Sequence, residues 1–402
     1  MEALDKTLRL FDDSFGDAPE KDLLHVHAPG RSEIAGNHTD HEGGHVIAGA
    51  LDVAIDGVAR SNGTEATVRV VSEGHTSFEI DLSSTNPLGL EKVKCASLVR
   101  GMANGMASLG KQVSGFDVAF TSTVPSGGGL SSSAAMEAAL GRAMEALWEG
   151  EVDPVSPIEL AKMSRRTEND WFGKPCGLMD QASVCLGGLA HMGFEDPENP
   201  TSEKLALGFE DYGYSLCLVD VGCDHAPFTA DYAAVPAEMK SVAKELGAEV
   251  LRDVSKEAFT AKLPELREKC GDRAVLRALH FFAENDRVSM QKAALERGDI
   301  KAFFDGVNAS GNSSFKYLQN VYTTKNVAEQ GLSLALCLTE EFLSKLDKPS
   351  ACRVHGGGFA GTIQAFVPKE SALALAAELD RVFGKGACHI LSIRTKGAIC
   401  IL

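Results

Sequence analysis

The chain has no surplus of basic residues: 39 Lys plus Arg stand against 56 Asp plus Glu in 402 residues, a net charge of −17. That balance repels phosphate backbones and anionic lipid everywhere except at a local basic pocket, so neither nucleic acid nor a membrane surface is expected as a partner. No uncharged apolar run approaches the length needed to cross a bilayer. Met1 to Asp13 mixes acids and bases without the apolar core of a secretory signal, and a cytoplasmic protein is expected. There is no C-x-x-C pair. The 10 cysteines are scattered singly, mostly among apolar neighbours such as Leu216 and Leu218 around Cys217, which predicts reduced core residues rather than a disulfide framework or a cysteine zinc site. The G-x-x-x-x-G-K-[ST] loop is missing, as are the H-R-D and D-F-G segments of protein kinases, and both of those nucleotide architectures are excluded.

What is present is an ordinary globular composition, 44% hydrophobic and 24% charged, long enough for two packed domains. Strand-like runs at Leu24–Ala28, Val46–Ala59, Ala66–Val71 and Phe116–Thr121 alternate with helical patterns, which gives an α/β or α+β class. The Ala-rich stretch Leu130–Leu147 predicts a helix opening directly after a glycine cluster. A charged, turn-rich stretch between Gly193 and Phe209 reads as a solvated connection, placing domains at 1–200 and 201–402. Beyond it, Ala274–Arg297 and Glu370–Phe383 have helical spacing, and the latter is flanked by strand-like runs at Thr362–Pro368 and His389–Ile393.

Four stretches carry chemistry. PSGGGLSSSAA, Pro125 to Ala135, sets three adjacent glycines before a helix, where free amides and the helix dipole favour a phosphate; a plain glycine turn with Ser131 as helix cap is the bland alternative. APGRSEIAGNHTDHEGG, Ala28 to Gly44, packs Arg31, Glu33, His38, Asp40, His41 and Glu42 between glycines, a density of donors and acceptors suited to a polyhydroxylated ligand. His38, Asp40 and His41 also form H-x-D-H, a poor closed metal site without a distant ligand. RTENDWFGKPCGLMDQ, Arg166 to Gln181, supplies Glu168 and Asp180, and phosphoryl transfer to an alcohol needs one carboxylate for the hydroxyl proton and another for magnesium. RVHGGGFAG, Arg353 to Gly361, contains G-x-G-x-x-G at Gly356, Gly358 and Gly361, but a strand follows where a dinucleotide fold needs a helix, so a glycine turn lining a cleft is expected.

Taken in order, these stretches resemble the motifs of the GHMP kinase superfamily, and GRSEIAGNHTDHEGG resembles the signature of its galactokinase branch. The spacing of Arg277 to His280 and Glu284 to Arg287, and of His225 and Tyr232, is similar too. The resemblance implies an α+β, two-domain GHMP kinase fold, with an N-terminal ribosomal-S5-like domain, a C-terminal ferredoxin-like domain and the active site in the cleft between them. It implies ATP and Mg2+ as cofactors, a small sugar as partner, and a monomer or small homo-oligomer that phosphorylates the C1 hydroxyl of galactose. Carried over residue by residue, Asp180 is the base and Arg31 its electrostatic partner. Gly127, Gly128, Gly129, Leu130, Ser131, Ser132 and Ser133 hold the ATP phosphates, Ser133 and Glu168 hold the metal, and His38, Asp40, Gly177 and Tyr232 hold the sugar.

Three positions depart from that pattern. Asn37 stands where galactokinases have a glutamate reaching the far end of the sugar, which opens preference at C6; His41 replaces a tyrosine; and Ala233 and Ala234 replace an arginine pair after Tyr232. Kinases for galacturonate, N-acetylgalactosamine, arabinose or fucose are therefore rival readings, beside a non-catalytic sensor of galactose and ATP and a zinc hydrolase built on His38 and His41.

Overall fold

A computed structural model describes the chain apart from Met1, residues 89–93, 126–128, 151–153, 175, 197–198, 207, 223–227 and 402. Strands β1 (Leu24–Ala35), β2 (His45–Ser61), β3 (Thr67–Ser72), β4 (Phe78–Asp81), β5 (Phe116–Ser122), β6 (Leu189–Gly193) and β7 (Thr201–Leu205) belong to one sheet, and β8 (Tyr214–Asp220), β9 (Ala351–Val354), β10 (Thr362–Pro368) and β11 (Cys388–Leu391) to another; β12 (Ile399–Ile401) returns to pair with β1. The first sheet runs β12-β1-β2-β5-β3-β4 with β6 and β7 alongside β2, and only β3 and β5 pair in parallel. The second runs β11-β8-β10-β9, antiparallel throughout. Helices α1 (Glu2–Phe15), α2 (Lys94–Ser108), α3 (Ser132–Leu147), α4 (Pro157–Arg166), α5 (Met179–Leu186) and α6 (Thr229–Glu245) precede α7 (Lys256–Ala261), α8 (Leu263–Cys270), α9 (Asp272–Glu296), α10 (Ile300–Ser313), α11 (Gly331–Leu343) and α12 (Lys369–Phe383). Among the described residues no helix is long and apolar enough to cross a membrane.

The pattern of apolar residues explains the layering. One face of the first sheet buries Val26, Ile47, Val118 and Phe120 against the alanine-rich face of α3, whose Ala135, Ala138, Ala139 and Leu140 are sealed because small side chains let helix and sheet approach closely. The amphipathic α1 lays Phe11 over Val58 and Ala119 on the other face. In β10, Ile363, Ala365 and Val367 point to α11 and α12, whereas Phe366 faces Phe303 and Phe304 of α10 and joins the core of the first sheet. That alternation, with both faces covered, seats the second sheet against the first.

Three expectations change here. β1 extends through Ala35, so Arg31 and Glu33 are strand residues rather than members of a polar turn; irregularities between Pro29 and Arg31 and between Glu33 and Ala35 bend the strand where the polar residues begin. The stretch read as a solvated connection carries the exposed strand β7, which pairs with β6; its residues Thr201 to Leu205 alternate too weakly to announce a strand. The cysteines also differ: Cys185, Cys217, Cys352 and Cys388 are buried, but Cys95 and Cys337 are exposed.

Candidate active site

Four non-glycine residues among those described adopt left-handed φ, namely His38 (58°), Ser131 (58°), Gln319 (58°) and Phe359 (62°). Each lies within or beside a segment that meets at one place: the end of β1 and its following loop, the start of α3, and the turn between β9 and β10. Strained backbone concentrated in this way marks a region whose geometry the rest of the fold enforces.

At its centre Arg31 grips Asp180 with two parallel bonds, Nε to Oδ1 at 2.8 Å and Nη2 to Oδ2 at 2.7 Å, while Nη1 donates to the carbonyl of Gly129. Ser131 occupies the N-cap position of α3, yet its hydroxyl makes no capping bond and donates instead to Asp180 Oδ2 at 2.5 Å. Asp180 lies in the first turn of α5, where the dipole also favours an anion, and keeps a third of its side chain exposed. Burial works against its ionisation, but the Arg31 guanidinium, the Ser131 hydroxyl and the nearby Lys174 ammonium prevail and hold it below the usual carboxylate range.

Behind this pair, Glu168 is buried in the π-helical turn Thr167–Phe172. Its Oε1 accepts from Ser133 Oγ at 3.1 Å and Lys174 Nζ at 2.8 Å, and its Oε2 from Gln181 Nε2 at 2.8 Å. Two ligand oxygens about 3 Å apart match neighbouring corners of an octahedron with metal–oxygen bonds near 2.1 Å, so Ser133 and Glu168 fit a magnesium ion. Gly129 and Leu130 lead into α3, where the amides of the first turn have no helical partners and suit an anion. Gly127 and Gly128, expected to cradle phosphate, and His225 lie outside the described residues.

On the other side stand the expected sugar residues. Tyr232 from α6 sits 5.5 Å from the ring of His38 and 6.3 Å from that of His41, centroid to centroid. His38 donates from Nε2 to the Gly357 carbonyl at 3.0 Å, leaving Nδ1 a buried acceptor without a partner; burial and the neighbouring His41 lower its pKa to about 3, so the ring is neutral. Gly177 is pressed against Asp40: a Cβ there would come within 2.7 Å of Oδ2. Among the described residues no three His, Cys, Asp or Glu side chains form a metal cage, and the H-x-D-H segment turns His38 toward a carbonyl.

Asn37 is placed differently from expectation. It is fully buried and its amide is saturated: Nδ2 donates to the Gly356 carbonyl at 2.7 Å and Glu33 Oε1 at 3.3 Å, and Oδ1 accepts from Asn320 at 2.9 Å and Ser314 at 3.1 Å. No donor or acceptor is left for a sugar. Helix α9 completes the anchorage, with His280 donating to the Asn37 carbonyl, Glu284 accepting from its N–H and Asn285 accepting from the His45 N–H. Sequence reasoning did not find Arg353 bound to Glu33 at 2.6 Å, or His355, whose Nε2 accepts from the Glu33 N–H and whose Nδ1 meets Thr362 Oγ1 at 2.8 Å. The available signal was charge and imidazole at the entrance to a glycine turn, but partners some 320 residues away cannot be read from local spacing.

With this geometry in view, residues 9–61 match the family described as galactokinase galactose-binding signature and residues 96–188 the family described as GHMP kinases N terminal domain. The galactokinase of Glaesserella parasuis serovar 5 is 30% identical over 372 residues, covering 91% of this chain and 90% of that protein. The chain belongs to the galactokinase family. It is a sugar kinase of the GHMP superfamily. A galactokinase of Mannheimia succiniciproducens is 29% identical over 92% of this chain and 91% of its own. Among solved structures, the Lactococcus lactis galactokinase complexed with galactose superimposes with a TM-score of 0.80 at 22% identity, over 98% of this chain and 99% of that one; a mevalonate kinase gives 0.64 at 15% identity over 93% and 99%. These likenesses show the two-domain α+β GHMP kinase fold.

Proposed function

We propose that the chain transfers the γ-phosphoryl group of ATP to the C1 hydroxyl of D-galactose, giving galactose 1-phosphate and ADP. The observation that carries this reading is the Asp180 carboxylate, clamped by Arg31, bonded by Ser131 at the start of α3 and a third exposed. The anomeric oxygen forms its bond to the γ-phosphorus as the bond from phosphorus to the ADP oxygen breaks, and the hydroxyl proton passes to Asp180. In a loose transition state that proton moves late, so a carboxylate of low pKa serves as acceptor and as orienting group. Arg31 keeps the carboxylate anionic and offsets charge growing on the transferring group.

The amides from Gly129 to Ser133, with Gly127 and Gly128, would receive the phosphates. Ser133 and Glu168 would hold magnesium, which when bound neutralises charge on the phosphate oxygens. His38 offers its unpartnered Nδ1 to a sugar hydroxyl, Asp40 accepts others, Gly177 leaves room beside Asp40, and Tyr232 supplies an apolar face. Galactose as the sugar is supported by the relatives named galactokinase. ADP release measured with galactose, N-acetylgalactosamine, galacturonate, fucose and arabinose tests the assignment: galactose should give the highest kcat/KM, and a tenfold preference for another sugar would replace it. A cytoplasmic location accords with an ATP-consuming enzyme.

A further inference from the structure

Glu168 is served by one group that the reaction as described leaves unused. Lys174 has three-fifths of its side chain exposed, yet its Nζ folds back 2.8 Å from Glu168 Oε1, the same oxygen that accepts from Ser133. The fold builds this return. Gly173 closes the π-helical turn at φ 78°, a left-handed conformation that suits glycine, and the next N–H, that of Lys174, donates to the Glu168 carbonyl at 2.9 Å. Lys174 is thus tied to Glu168 by main chain and side chain together.

The surroundings show why a cation sits there. Glu137, four residues after Ser133 on α3 and so on the same face, is fully buried with both carboxylate oxygens unpartnered. Burial first, then the nearby Glu168, push its carboxyl well above the usual range, and Asp180 adds to the same field. Three acids therefore converge on a region that must also receive a polyphosphate. In the protein alone, Arg31 offsets Asp180 and Lys174 offsets Glu168.

We infer that Lys174 is a displaceable cation: it holds Glu168 until a divalent ion takes that carboxylate, and then turns its ammonium to a terminal phosphate oxygen of the nucleotide. This rests on the kinase reading above. A magnesium ion on Ser133 and Glu168 and an ammonium on Glu168 Oε1 compete for one oxygen and repel each other, and the long, mostly exposed lysine stem can swing away at small cost. The start of α3, where phosphates would lie, is the anion-binding surface within reach of that swing.

The test is calorimetric titration of wild type, Lys174→Met and Lys174→Arg with magnesium alone, with ATP in EDTA and with ATP plus magnesium, with melting temperature as the folding control. Lys174→Met should bind ATP about tenfold more weakly with magnesium, the size of one charge-assisted hydrogen bond in a partly exposed site, while its affinity in EDTA changes far less, and Lys174→Arg should retain most of the affinity. The magnesium concentration giving half-saturation without nucleotide should fall in Lys174→Met, because the competitor for Glu168 is gone. Affinity for ATP with magnesium within twofold of wild type, or an unchanged magnesium affinity without nucleotide, overturns the role of Lys174 and leaves the kinase reading standing. A wild-type protein that binds no ATP even with magnesium overturns both.

Discussion

Two arginine–carboxylate pairs begin two residues apart on β1 and end in different roles. Arg31 reaches forward to Asp180, whose side chain is a third exposed; Glu33 is bound by Arg353, with side-chain exposures of 5% and 0%. The chemistry of the pairs is alike, but their surroundings push the acids in opposite directions. Burial raises Glu33 despite Arg353, whereas at Asp180 the Arg31 and Ser131 bonds outweigh burial and lower it. An arginine partner therefore does not by itself mark a reacting group. Solvent access and extra donors to the charged form separate a carboxylate able to meet substrate from one that ties the strand to β9.

The largest effect that would break this comparison is at the open pair. Asp180→Asn should lower kcat by about a thousandfold or more while galactose and ATP affinities, measured by calorimetry, stay within a few-fold; near-normal turnover contradicts the assignment. Since Asp180 stays ionised to below the ordinary aspartate value of about 3.9, kcat/KM should show no acid limb from this group between about pH 5 and pH 8.

At the sealed pair the loss should be in stability. Arg353→Met leaves Glu33 buried without its cation and should cost about 3 kcal/mol or more in urea unfolding, with kcat of the folded fraction changed far less than by Asp180→Asn. A kinetic loss equal to that of Asp180→Asn with unchanged stability would erase the distinction between the pairs.

Asn37→Glu sharpens the boundary between the two. It sets a third carboxylate beside buried Glu33 and Glu284 and removes the amide donors to Gly356 and Glu33, so a destabilisation of about 2–4 kcal/mol is expected without altered choice among C6-modified sugars. A selectivity change in a protein of normal stability would restore the role expected from sequence.

The smallest effect concerns Glu42, fully buried beyond Asp40, whose Oε2 accepts from the Leu251 N–H at 2.9 Å while Oε1 has no partner. Burial pushes its carboxyl up to about 7. A raised folded value means that the native state holds the proton more tightly than the unfolded chain. The stabilisation is complete below the ordinary value of about 4.3 and erodes as pH rises toward 7. Glu42→Gln should flatten the fall in stability between pH 5 and pH 8 by about 1–3 kcal/mol, read from urea midpoints at each pH; an identical slope contradicts it.

Much of this was legible in the sequence. Glycines and charged residues cluster locally and composition records both, so the four motif stretches could be picked out, and the ends of β10 and α3 could be read within one or two residues. Roles set by distant partners could not. Asn37 looks like a sugar ligand until Ser314 and Asn320 are seen to saturate it, Ser131 looks like a cap until Asp180 claims its hydroxyl, and Lys174 carries no local sign that it folds onto Glu168.

The most direct check of the central claim is a phosphorus NMR time course of the wild-type protein with ATP, magnesium and galactose. One galactose 1-phosphate resonance, split by the anomeric proton and growing in step with ADP, is predicted. ADP with free phosphate alone, or phosphate on another sugar hydroxyl, would contradict a phosphoryl acceptor held at Asp180.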